Sequence, residues 1–84
     1  MLKFDVKYEA GDTMTPDFAA RLAQEASRYS SRISLKSGDF LLGVDSLIGI
    51  MAMNMRRGGM VTVIADGADE AEAGRCICRL LSGR

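Results

Sequence analysis

The 84-residue chain balances 11 Lys and Arg against 11 Asp and Glu and contains no histidine. A length of this order supports one hydrophobic core and no second one, so residues 1–84 are expected to form a single domain without a linker. Even charge leaves no basic excess for nucleic acid or an anionic membrane surface, and the missing imidazole removes Ser-His and Cys-His nucleophiles, His metal ligands and phosphohistidine relays, so neither an enzyme nor a cofactor or metal site is expected.

Leu2, Phe4, Val6 and Tyr8 alternate with Lys3, Asp5, Lys7 and Glu9, the period-two pattern of a strand with one wet face. That alternation is not the apolar core of a signal peptide, and no apolar run approaches the ~20 residues of a membrane span, so a cytoplasmic protein is expected. The following loop ends in a helix start. Thr15 can cap, Pro16 suits the first helical position and Asp17 complements the dipole, which predicts a helix over 16–29 with Phe18, Ala19, Leu22, Ala23, Ala26 and Tyr29 on its apolar side.

A second alternation, Arg32 to Lys36, and the run Phe40 to Gly43 flank a Ser37-Gly38-Asp39 turn, predicting an antiparallel hairpin. Asp45-Ser46-Leu47-Ile48-Gly49-Ile50-Met51 then opens a short helix, with Asp45 or Ser46 as the N-terminal acceptor and an end near Asn54. At ~100° per residue, Ile50 and Met53 share one side, whereas Leu47, Ile48 and Met51 form a second apolar set that one helix face cannot also bury. That second set is either core or an exposed partner-docking patch.

After a turn containing Arg56-Arg57 and Gly58-Gly59, Met60 to Ala65 is rich in β-branched residues and predicts a fourth strand. The final helix is expected over 68–82, with Asp69 and Glu70 in its first turn and Ala73, Ile77, Leu80 and Leu81 on one stripe. Gly74 inside it costs about 1 kcal/mol relative to Ala, so the helix should fray or pack closely there. Cys76 and Cys78 would point ~200° apart on that helix, unable to bridge or share a metal, and read as small buried or half-buried apolar residues.

The string βαββαβα, with each strand wet on one face, predicts an α+β fold: an antiparallel four-stranded sheet covered on one side by helices. Pattern alone leaves the strand order open between a ferredoxin-like arrangement and other open-faced sandwiches. The expected inward residues are Phe4, Val6, Leu22, Ala26, Ile33, Leu35, Ile50, Met53, Val61, Val63, Ile77 and Leu80.

Over nearly its whole length the chain resembles the HPr family, the phosphocarrier proteins of the bacterial phosphoenolpyruvate:sugar phosphotransferase system. The resemblance is carried by Ala26-Ser27-Arg28-Tyr29, by Ile33 and Leu35, by Ser46-Leu47-Ile48-Gly49-Ile50-Met51, by the Gly58 turn, by Val61-Thr62-Val63 and by Gly67-Ala68-Asp69-Glu70-Ala71. It implies an open-faced β-sandwich of four antiparallel strands and three helices. In the family a His-Ala-Arg-Pro segment opens the first helix, and its histidine relays phosphate from enzyme I to enzyme IIA domains. Here Thr15-Pro16-Asp17-Phe18 stands there, placing Thr15 at the phosphoacceptor position and Asp17 where an arginine would steady the phosphate; a shifted register would nominate Thr13. A threonine hydroxyl forms no phosphoramidate and Asp17 repels phosphate, so no phosphohistidine transfer is expected.

The resemblance also implies a second control point. In many HPr proteins, and in the related catabolite repression HPr that lacks the histidine, a kinase/phosphorylase modifies the serine matching Ser46, and the product works with a catabolite control regulator. Ser46 is therefore either a phosphorylation site or only a cap, with Asp45 opposing an added phosphate. Two functions follow: a regulatory HPr-like protein docking phosphotransferase-system or transcription partners through Thr15, Leu47, Ile48 and Met51, or an HPr-fold binding module that has left that system.

Overall fold

The computed structural model describes residues 1–83, in the order β1 (Leu2–Lys7), α1 (Pro16–Ala26), β2 (Arg32–Ser37), β3 (Phe40–Gly43), α2 (Leu47–Ala52), β4 (Met60–Asp66) and α3 (Glu70–Leu81). All pairings are antiparallel and the strand order is β1-β4-β2-β3, which settles what the alternation left open. The register stacks Phe4, Val63 and Leu35 in one row and Leu2, Ala65 and Ile33 in another. Because side chains alternate across a pleat, the inner sides of these rows meet the helices while Lys3, Asp5, Ser34, Lys36, Thr62 and Ile64 stand on the other face.

The core is built from Leu22, Ala26, Ile33, Leu35, Ile50, Met53, Val61, Val63 and Ile77, all expected, and also from Tyr8, Met14, Ala19, Val44, Met55, Ala65, Ala73 and Leu81. Phe4, Val6 and Leu80, expected inside, are only partly buried against it. The two strand residues lie on β1, an edge strand with a neighbour on one side only, so less of their surface is covered. Tyr8 is almost fully buried just beyond β1, where its N–H and C=O pair with Gly59 and Gly58 at 2.8 Å each. Its hydroxyl donates to the Thr13 carbonyl at 3.0 Å, and its ring meets Phe18 edge-on.

All three helices are shorter than the periodicity suggests, each for a local reason. The first ends at Ala26 rather than 29, because the Ser27 hydroxyl donates to the Gln24 carbonyl and the next amides tighten to three-residue bonds, Arg28 N–H to Glu25 and Tyr29 N–H to Ala26. Asn54 adopts φ 56°, the left-handed conformation that stops a helix, so α2 ends at Ala52. The third begins at Glu70 because the Asp69 carboxylate leaves the helix axis to bind the Ser30 and Ser31 amides at 2.9 Å each. Gly74 is buried against β1, and a Cβ there would lie 2.1 Å from Phe4 Cε2, so close packing and not fraying accounts for the glycine.

Candidate functional site

The start of α1 is held from three directions. Thr15 sits in extended backbone, φ −109° and ψ 156°, and its Oγ1 accepts the Phe18 N–H at 3.2 Å, so the side chain closes the first turn. Asp17 follows in that turn, exposed, as a dipole complement. Upstream, Met14 is buried and its N–H donates to the Met55 carbonyl at 3.1 Å, while Thr13 pairs with Arg56. The segment before α1 is thereby fastened to the segment after α2, which brings the two regions onto one end of the fold.

Arg57 strengthens this fastening. Its backbone N–H donates to the Asp12 carbonyl at 2.9 Å and its Nε to the Asp12 carboxylate at 3.2 Å. The pair is exposed, so its energetic weight is within the ~1 kcal/mol typical of surface ion pairs. Thr13 itself is exposed, with its carbonyl taken by Tyr8. Sequence reasoning overlooked Tyr8, Met14 and Met55 as the anchors of this end. Only the continued parity of Tyr8 with Leu2, Phe4 and Val6 hinted at it.

The second half of the site is α2. Ile50 is fully buried and Met53 nearly so, which turns Leu47 and Ile48 outward at 44% and 86% exposure. Met51 is half-buried and packs against the core, correcting the expectation that it stands exposed with the other two. It lies one residue after Ile50 and two before Met53, at the border of the buried side. Ser46 occupies the N-cap position but its side chain makes no capping bond, and its φ −88° and ψ 86° lie outside the usual cap geometry. Its N–H donates to the Gly43 carbonyl at 3.0 Å, and Asp45 beside it is exposed. The first intrahelical bond runs from Ile50 N–H to the Ser46 carbonyl, so the amides of Leu47, Ile48 and Gly49 precede the ladder.

Among the described residues no group of three Cys, Asp or Glu side chains converges to hold a metal, and no helix is long and apolar enough to cross a membrane. Cys76 and Cys78 are free and half-buried, and burial pushes the Cys78 thiol up from its ordinary pKa.

The family model described as the PTS HPr component phosphorylation site matches residues 3–82. The chain belongs to the HPr family. It is 35% identical over 71 residues to the HPr-like protein Crh of Bacillus subtilis, covering 84% of this chain and 81% of that protein. Among solved structures, the histidine-containing phosphocarrier protein of Mycoplasma superposes with a TM-score of 0.82 at 29% identity, covering 94% of this chain and 90% of its own. HPr from Thermoanaerobacter tengcongensis gives 0.87 at 26%, covering 100% and 98%. The four-stranded antiparallel sheet with three helices is thus the HPr fold, and its family is one of phosphocarrier proteins rather than enzymes. This chain retains that fold while having no histidine at any position.

Proposed function

We propose that residues 1–84 act as a single HPr-like domain that does not relay phosphohistidine and instead regulates, by docking protein partners through Thr15 at the start of α1 and Leu47 and Ile48 on α2, with Met51 at the border. The reading rests on one observation: a chain matching the HPr model almost end to end contains no histidine. Without an imidazole the chain lacks the ring nitrogen on which the family takes and returns phosphate, and Asp17 places negative charge beside the Thr15 position. Two large apolar side chains left exposed on the first turn of a six-residue helix support the docking role, since such side chains in one place mark partner surfaces.

Ser46 is the proposed control point. Its hydroxyl is not engaged as a cap, so a phosphate there breaks no capping bond and meets the unladdered amides of the first turn. By resemblance the modifying enzyme is an HPr kinase/phosphorylase and the partner a catabolite control regulator or a phosphotransferase-system component. The likeness to Crh supports this regulatory reading over a module outside that system.

Incubation with phosphoenolpyruvate and enzyme I is expected to give no acid-labile phosphoprotein; transfer onward to an enzyme IIA would overturn the proposal. Incubation with the host's HPr kinase and ATP should add one phosphate by intact mass, and Ser46→Ala should abolish it. Asp45→Asn should raise the rate by removing the like charge.

A further inference from the structure

The face of the sheet turned away from the helices carries side chains that a solvated face does not need. Leu41 is 61% and Met60 57% exposed, and half-buried Ile64 lies across from Lys3, so three large apolar side chains interrupt what the alternation marks as the wet side. The register explains their neighbourhood. Leu41, Lys36, Thr62 and Asp5 form one cross-strand row, and Ser34, Ile64 and Lys3 the next. They line a shallow furrow of about 730 Å³.

We infer that this helix-free face docks an amphipathic helix of another protein, one whose apolar stripe is flanked by acidic side chains. Two arguments select that occupant. β4 lies between β1 and β2, and β2 between β4 and β3, so the backbone along the middle of the furrow is already in ladders, and the open edges of the sheet, on β1 and β3, lie at its flanks and not on this face. The occupant must bring a backbone whose polar groups are satisfied internally, as a helix does. At about 3.3 Å per residue, β4 spans roughly the length of four helical turns, enough for one short amphipathic helix.

Charge then separates a partner helix from a second copy of the chain. The face carries Lys3, Lys7, Arg32 and Lys36 against Asp5 and Asp66, and the Asp5 carboxylate is already engaged by the Thr62 hydroxyl at 2.7 Å. A second copy would set this cationic excess against itself. Acidic flanks on a helix would meet it, and the lysine stems would extend the apolar contact.

The test uses two labelled synthetic helices with the same leucine stripe, one flanked by Glu and one by Lys, titrated into the full chain by fluorescence anisotropy and mapped by amide chemical shifts. The Glu peptide should bind, more weakly as salt is added, with shifts on β2, β3 and β4. Leu41→Glu with Met60→Glu, both at exposed positions, should weaken it by roughly tenfold or more while far-ultraviolet circular dichroism is unchanged. Lys3→Glu with Lys36→Glu should reverse the preference toward the Lys peptide. Absence of binding, equal binding of both peptides, shifts confined to α2, a concentration-dependent dimer that buries Met60, or binding only to phosphatidylglycerol vesicles would each overturn the inference.

Discussion

Asp69 shows how one side chain replaces its expected task with another. Its place before the last helix suggests a dipole or capping role, but its carboxylate accepts the Ser30 and Ser31 amides and the Ser31 hydroxyl, tying the loop after α1 to the start of α3. The Ser31 hydroxyl, with help from the two amides, holds its pKa below the ordinary carboxylate value. Because the folded value is the lower one, the associated stability is present above the unfolded pKa and is lost as pH falls through the folded value. Unfolding followed at falling pH should therefore show an acid limb that Asp69→Asn flattens. Ser31→Ala should raise the Asp69 pKa in a carboxyl-detected NMR titration; an unchanged value would show that the serine hydroxyl is not the cause. Gly74 is the steric counterpart. Gly74→Ala must displace the Phe4 ring and should cost about 1–3 kcal/mol, as overpacking does, with the loss reduced in a Phe4→Leu background.

At the level of elements, α2 is where the apolar pattern divides between a buried and an exposed side. Ile50 and Ile48 have the same side chain two residues apart, one fully buried and the other 86% exposed. Ile50→Ala should cost about 2–4 kcal/mol in denaturant unfolding, the loss of buried methylenes plus a residual cavity. Ile48→Asp should change stability by no more than ~0.5 kcal/mol and yet weaken partner capture, because it would put an unpaired charge into an apolar contact. Met51, half-buried, is the poorer probe, since a charge there would disturb the core as well. Matching losses of stability for Ile48 and Ile50 would remove the basis for a docking surface. The separation of Ile50 and Met53 from Leu47 and Ile48 was legible in the 3.6-residue period, whereas the helix's end was not. That end depends on Asn54 taking a left-handed conformation, which an Asn permits but does not announce. In the same way Thr15-Pro16-Asp17 revealed the start of α1, while its stop at Ala26 follows from a Ser27 side-chain bond that periodicity cannot see.

For the whole molecule, period-two alternation marked which side of each strand faces the helices but carried no information about neighbours. The order β1-β4-β2-β3 comes from pairing between residues as far apart as Leu2 and Ala65, whereas the family resemblance implied four antiparallel strands and three helices without their order. The anchors Met14 and Met55 were illegible for a related reason. They sit in segments without regular period and become buried only because the loops before α1 and after α2 meet. This topology makes a prediction about where stability resides. β4 and β2 are flanked by strands on both sides and carry fully buried Val63 and Leu35, whereas α2 is one short helix with its outer turn exposed. Amides of β4 and β2 should exchange with solvent only through global unfolding, while those of α2 should exchange through local opening with a much smaller free energy. Native-state hydrogen exchange under low denaturant separates the two: α2 rates should be insensitive to denaturant where β4 rates rise with it. If α2 exchanged as slowly as β4, the proposed docking end would be as rigid as the sheet centre, and a partner would have to take Leu47 and Ile48 as they stand instead of reshaping the helix on contact.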